Sequence, residues 1–226
     1  MNSRLEKLRS QFPSLKVDAF LITFAPHLRY MSGFSGSSGI GLVTRDASYF
    51  LTDGRYAGQV KTEIHGWKTF ITQRSLFDEM YRKKLLQPGT RVGFDGNTVT
   101  YTQFTQLKQA LPKIHFLPKA DCIERIAIVK DESEIEKIRR AVDITDRVFT
   151  EILPLVKQGV SELDIAAEIS YRQRKHGSEA DAFESIVASG ERNMAGPSGV
   201  RMGWGAGSVL IVACRASLLN VGAWSS

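Results

Sequence analysis

Short, continuously apolar runs alternate along the first 120 or so positions with segments whose apolar residues return every three or four places. The runs read as strands, Ala19-Phe20-Leu21-Ile22-Thr23 as a buried one, then Ile40-Gly41-Leu42-Val43-Thr44, Ser48-Tyr49-Phe50-Leu51-Thr52, Phe70-Ile71-Thr72, Arg91-Val92-Gly93-Phe94-Asp95 and Ile114-His115-Phe116-Leu117. Arg45-Asp46-Ala47 joins the second and third as a hairpin. Helical spacing appears at Leu5, Leu8 and Phe12, with Pro13 expected to end that helix. A second helix is expected from a Ser75 cap to about Leu85, stopped by Pro88-Gly89, and a third over residues 101–111. Residues 29–39 read as a small-residue loop, and Asp53-Gly54-Arg55-Tyr56 turns the chain into a short helix. Strands alternating with helices predict a mixed sheet covered by helices, an α/β unit over residues 1–121.

The rhythm changes after Asp121. Ser133 and Glu136 match a capping box, S-x-x-E, opening a long amphipathic helix with Ile135, Ile138, Val142, Val148, Phe149 and Ile152 along one face, broken at Pro154. Ser161 and Asp164 open another helix, which runs to about His176 and is stopped by Gly177. Ile186-Val187-Ala188-Ser189-Gly190 starts a strand. The expected organisation is therefore a first domain over residues 1–121, the start of a second over 122–192, and an anomalous tail over 193–226. The anomaly is compositional: residues 192–226 contain no Asp, Glu or His.

Composition adds constraints. The apolar fraction of 42% and charged fraction of 24% are those of an ordinary globular protein. No apolar run approaches the roughly 18–20 residues a membrane span needs. The N-terminus, Met1-Asn2-Ser3-Arg4-Leu5-Glu6-Lys7, lacks the pattern of a signal peptide, so a cytoplasmic location is expected. Cys122 and Cys214 have no metal-binding or redox-motif spacing and read as free thiols. The net charge of +6 is not clustered, and Arg192, Arg201 and Arg215 of the acid-free tail supply half of it, so no nucleic-acid partner is expected.

Candidate chemistry is sparse. Gly33-Phe34-Ser35-Gly36-Ser37-Ser38-Gly39 is glycine-rich, but a strand follows it rather than the helix a phosphate loop requires, and Ser37 breaks the G-x-S-x-G pattern of a nucleophile elbow. His27, His65, His115 and His176 have no histidine at i+4. His115 reads as a core or edge histidine and His176 as a helix C-terminal cation. Spacing alone yields no active site.

Three sets of segments together carry a family resemblance. Arg29-Tyr30-Met31-Ser32-Gly33-Phe34-Ser35-Gly36-Ser37, with Phe50-Leu51-Thr52-Asp53-Gly54-Arg55-Tyr56, resembles the creatinase-like N-terminal domain of Xaa-Pro peptidases (aminopeptidase P and prolidase). Arg125-Ile126, Lys130-Asp131-Glu132-Ser133-Glu134-Ile135 and Ile138-Arg139-Arg140-Ala141 resemble the first helix of their pita-bread catalytic domain. Gly159-Val160-Ser161-Glu162-Leu163-Asp164 and Phe183-Glu184-Ser185-Ile186-Val187-Ala188-Ser189-Gly190 resemble the next helix and first strand. The resemblance implies an α/β creatinase-like domain followed by part of an α+β pita-bread domain. It also implies hydrolysis of the bond before proline in peptides by two divalent metals (manganese, cobalt or zinc), held by two Asp, one His and two Glu around a bridging hydroxide. It further implies a homodimer. Phe34, Arg55, Tyr56, Phe183 and Ile186 are the residues expected to edge a substrate pocket or the dimer contact.

The resemblance fails where the metal ligands should begin. Met194-Ala195-Gly196-Pro197-Ser198-Gly199 stands in place of a Leu-Pro-His-like segment, and the register beginning at Gly207-Ser208 puts Ala213 and Trp224 at the two Asp positions. A reading-frame shift near residue 192 is the expected explanation, with an in-frame degenerate relic as the alternative. The functional expectation is a peptidase-derived chain lacking its metal site, or else a non-catalytic dimerisation or binding module. A creatinase-like hydrolase would need a histidine beyond residue 190, and none is present. An incomplete second domain is also expected to leave open sheet edges and an uncovered apolar face, with poor solubility.

Overall fold

The computed structural model describes residues 3–157, 159–182, 185–189, 210–213 and 216–217. The chain divides into two compact units, Met1–Val129 and Lys130–Ser226.

The first unit is built around one six-stranded sheet. Its strands are β1 (Ala19–Ile22), β2 (Ile40–Thr44), β3 (Ser48–Asp53), β4 (Lys68–Thr72), β5 (Arg91–Asp95) and β6 (His115–Lys119), in the order β4-β3-β2-β1-β5-β6. The β1–β2 and β2–β3 pairs are antiparallel, whereas β3–β4, β1–β5 and β5–β6 are parallel. The helices are α1 (Ser3–Ser10), α2 (Phe12–Leu15), α3 (Ala25–Ser32), α4 (Ala57–Glu63), α5 (Leu76–Arg82), α6 (Tyr101–Ala110) and α7 (Cys122–Ile128). Period-two alternation divides the sheet's side chains between two cores. Phe20, Ile22, Val43 and Phe50 join one cluster with residues of α1, α3 and α7, while Ala19, Leu21, Leu42, Leu51 and Val92 join another with Met80 and Leu107.

The strands and the hairpin lie where the apolar runs predict them. Four local expectations change. Pro13 opens α2 instead of ending α1, because its missing N–H costs nothing at a first-turn position. Arg29–Ser32 are helical and the loop starts only at Gly33, whose φ of 86° is the left-handed cap that ends α3. Ser75 precedes α5 without a side-chain cap bond. The domain boundary moves from 121 to 129, because Cys122, Ile123, Ile126 and Ala127 of α7 are buried in the first core cluster and so belong to the first unit.

In the second unit α8 (Glu132–Ile152) and α9 (Glu162–Lys175) pack Ile144, Val148 and Ile152 against Ile165 and Ile169, with Val187 of β8 (Ile186–Ser189) in the same cluster. α9 opens with the expected Ser161–Asp164 capping box. α8 is capped two residues earlier than expected: Asp131 and Glu134 form the reciprocal box, and Ser133 Oγ donates to Asp131 instead. The buried face of α8 keeps the expected Val148 and Ile152 but takes in Ile144, while Val142 and Phe149 are exposed. Two short antiparallel pairs complete the described part, β7 (Ala180–Asp181) with β10 (Ala216–Ser217) and β8 with β9 (Leu210–Ala213). Among the described residues no helix is long and apolar enough to cross a membrane.

Candidate functional site

The loop after α3 is held by its own side chains and by the segment that follows β3. Ser35 donates its N–H and its hydroxyl to Glu63 at 2.8 and 2.7 Å, and Gln59 donates to both Ser35 Oγ (2.7 Å) and Glu63 (3.0 Å). Burial raises the Glu63 pKa, but the hydrogen bonds from Ser35 and Gln59 outweigh it and hold the carboxyl below its usual value. Ser37 Oγ lies 2.8 Å from the Tyr56 hydroxyl, and that hydrogen bond lowers the phenol's pKa. Asp53 accepts from the Arg55 N–H at 3.0 Å and from both arms of its guanidinium at 2.9 Å, which drives the carboxyl far below the usual carboxylate range.

This arrangement sorts the residues expected at an edge. Tyr56 meets the 33–39 loop through Ser37, and the neighbouring Arg55 side chain is largely exposed, its charge neutralised by Asp53. Phe34 does not present an edge. It is 1% exposed and its ring packs edge-on against Phe50 at 4.8 Å and Tyr56 at 5.3 Å, so it is a core residue. Ile186 lies at the start of β8 and is 42% exposed. Phe183 lies outside the described residues.

A second constellation, invisible to motif spacing, lies at the carboxyl ends of β1 and β5. His27 of α3 is 2% exposed. Its Nδ1 is 3.6 Å from Asp95 Oδ2 at the end of β5, and its Nε2 is 3.1 Å from Glu124 Oε1 on α7. Asp95 is fixed by the Asn97 N–H (2.9 Å) and the Thr98 hydroxyl (2.9 Å), and Phe24 packs edge-on to the imidazole at 5.0 Å. Nearby Cys122 is a free buried thiol whose pKa burial pushes up to about 11, which disfavours the thiolate at neutral pH. Positions 27, 95 and 124 carry no sequence signal that joins them; only the parallel pairing of β1 with β5 and the docking of α7 bring them together.

In the second unit Glu151 accepts from Arg172 at 2.9 Å and lies 2.8 Å from His176 Nε2. His176 therefore sits at the C-terminus of α9 as expected, with a carboxylate partner. Strand β9 pairs with β8 so that Ala213 stands opposite Ile186. Trp224 and residues 194–199 lie outside the described residues.

Residues 4–129 match the model of the creatinase/prolidase N-terminal domain, and residues 136–220 match that of metallopeptidase family M24. The chain belongs to the Xaa-Pro peptidase family. This member of the family is 34% identical over 190 residues to the uncharacterized peptidase YqhT of Bacillus subtilis, covering 84% of the chain and 54% of that relative. It is 29% identical to the Xaa-Pro dipeptidase of Pyrococcus furiosus, over 88% of the chain and 56% of the relative. Among solved structures it superposes on the Xaa-Pro dipeptidase from Bacillus anthracis with a TM-score of 0.87 at 30% identity, covering 95% of the chain and 60% of that structure. The X-Pro aminopeptidase from Thermotoga maritima gives 0.82 at 28% identity, covering 92% and 61%. The chain thus spans little more than half the length of the relatives it matches.

Full-length members of an M24 metallopeptidase family carry divalent metals. The donors present here do not fit that group. The first Asp position implied by the resemblance is Ala213, whose methyl group has no lone pair to offer, and residues 192–226 supply no carboxylate or imidazole. Among the described residues, the one His/Cys/Asp/Glu group with metal-compatible spacing is His27, Asp95 and Glu124, all in the first unit.

Proposed function

We propose that this segment of an Xaa-Pro peptidase is catalytically silent and serves as a binding and dimerisation module, its ancestry that of an aminopeptidase or dipeptidase acting on proline-containing peptides. The single observation that carries the reading is Ala213. It occupies the backbone position opposite Ile186 on β9, where the resemblance calls for a metal-bridging carboxylate. Hydrolysis by a paired-metal site needs those oxygen ligands both to hold the ions and to generate hydroxide at neutral pH. Of the two accounts of residues 193–226, the in-frame relic is favoured, supported by a family match that runs to residue 220 and by the pairing of β9 with β8.

The module's contact edge is the 33–39 loop with Arg55 and Tyr56, and the partner is a second copy of the chain. The free thiol at Cys122 is consistent with work in a reducing, cytoplasmic setting. The test is an assay of the purified chain with Gly-Pro and longer Xaa-Pro peptides in manganese, beside light scattering for mass. No turnover above the metal-only rate and a mass of two chains are expected. Metal-dependent turnover overturns the silent reading, and a monomer across the micromolar range overturns the dimer. Translating the encoding DNA across codons 190–226 in its other frames tests the relic: a recovered Asp-containing continuation overturns it.

A further inference from the structure

We propose that the crevice at the carboxyl ends of β1 and β5 binds one divalent transition cation of the zinc class, with His27, Asp95 and Glu124 as its protein ligands. This site is separate from the paired-metal centre implied by the family and lies wholly in the first unit.

The topology singles out the place. From β1 the sheet is built outward through β2, β3 and β4 on one side, and through β5 and β6 on the other. The parallel strands β1 and β5 therefore flank the point where the strand order reverses. In α/β sheets the loops leave such a point in opposite directions and open a crevice beyond the strands' carboxyl ends, which is where ligands bind. Asp95 is the last residue of β5, and His27 follows the end of β1 by five positions. The amino ends of the same two strands are closed instead, by Asp18 accepting from Arg91 and Arg45.

The donors have the right chemistry. One imidazole and two carboxylates make the nitrogen and oxygen set that zinc and its neighbours take. The three ligand atoms lie within 4.8 Å of one another. Points so spaced all lie at most about 2.8 Å from a common centre, against the roughly 2.0–2.2 Å of zinc–nitrogen and zinc–oxygen bonds. Contraction by about half an ångström closes the difference. Two of the three ligands are already oriented, Asp95 by Asn97 and Thr98, and the His27 ring by Phe24. The Glu124 side chain is 21% exposed, which leaves the approach from solvent that ion entry and a water ligand require. Its second oxygen, Oε2, is buried without a hydrogen-bond partner among the described residues.

Charge points the same way. With a neutral imidazole, Asp95 and Glu124 leave two negative charges beside a nearly buried ring, an expensive arrangement unless compensated. A proton on His27 offsets one of them, and a divalent cation offsets both. The protonated ring is the rival occupant of the same geometry.

The experiment uses the full chain stripped of metal with a chelator. Cobalt(II) is titrated in while its visible absorption is followed, then displaced with zinc. The expected result is one equivalent bound with ligand-field bands and a zinc-dependent rise in melting temperature. Glu124→Gln and Asp95→Asn should each weaken cobalt binding by more than the about 10–100-fold that loss of an outer partner costs. His65, His115 and His176 are unchanged in these variants and so control for adventitious sites. Equal cobalt affinity in wild type and Glu124→Gln overturns the proposal. So does nitrogen NMR of the wild type showing both His27 ring nitrogens protonated at saturating zinc, a readout that needs no variant to fold.

Discussion

Replacing Phe34 by alanine separates a core role from an edge role at the one expected site residue that the structure moves inside. The ring is 1% exposed and belongs to the cluster that contains Phe20, Phe50 and Trp67. A phenylalanine removes about 150–200 Å² from water, which at roughly 25 cal/mol per Å² amounts to about 4–5 kcal/mol. The unfolded chain already buries part of that area, which lowers the figure, while the two edge-on contacts to Phe50 and Tyr56 and the cavity left behind raise it. The expected loss is about 3–5 kcal/mol, in line with large-to-small core changes generally. Urea unfolding of the first unit reads it, followed by Trp67 fluorescence in a Trp204→Phe, Trp224→Phe background, because Trp67 lies 6.4 Å from Phe50 in the same core. The midpoint should fall without a change in slope. A loss below about 1 kcal/mol, accompanied by weaker self-association, would refute the burial argument and return Phe34 to the contact surface.

Asp18→Asn should cost about 1–2 kcal/mol at neutral pH, less than a fully buried charged hydrogen bond because the Asp18 carboxylate is partly exposed and screened. Hydrogen bonds from Arg91 hold the Asp18 pKa well below normal, so the stability it contributes is complete above the unfolded value near about 4 and is lost as pH falls further. Urea midpoints of wild type and variant should converge on acidification, and a gap of constant size from pH 7 to pH 2 would exclude this linkage. On α8, Val142→Lys with Phe149→Lys should leave helicity, unfolding midpoint and the light-scattering mass nearly unchanged, since both side chains are exposed, off the buried face and on a different element from the proposed contact loop. Loss of helicity in that variant would mean that the two side chains belong to the core.

The inner strands β1, β2, β3 and β5 are legible because each is a short, mostly buried run that apolarity marks, whereas the edge strands β4 and β6 are largely exposed or half-buried and carry a weaker signal. β1 is the clearest, four residues and all of them buried. The helix ends are less so. The α8 cap was ambiguous because two overlapping tetrads, Asp131–Glu134 and Ser133–Glu136, both satisfy the same box pattern, and only the backbone shows which hydrogen bonds form. The α8 face is only partly legible for a related reason. Val148 and Ile152 are buried as expected, but Val142 and Phe149, a heptad apart and read as part of the same stripe, stay exposed, and the packing of α9 buries Ile144 in their place. α7 reads as the start of a new domain by its change of rhythm, yet the apolar side of Cys122, Ile123 and Ile126 fills the first core.

Taken alone, the sequence determined the α/β class of the first unit, the family resemblance, and the absence of acids and histidine from residues 192–226, because composition, periodicity and motif order are properties of the chain itself. Tertiary structure decided that Phe34 is core, that Ala213 stands opposite Ile186, and that His27, Asp95 and Glu124 meet. The physical reason is range. Side chains nearly a hundred positions apart become neighbours only through strand pairing and helix docking, and no local pattern of hydrophobic and polar residues encodes which ends of which strands will share a crevice.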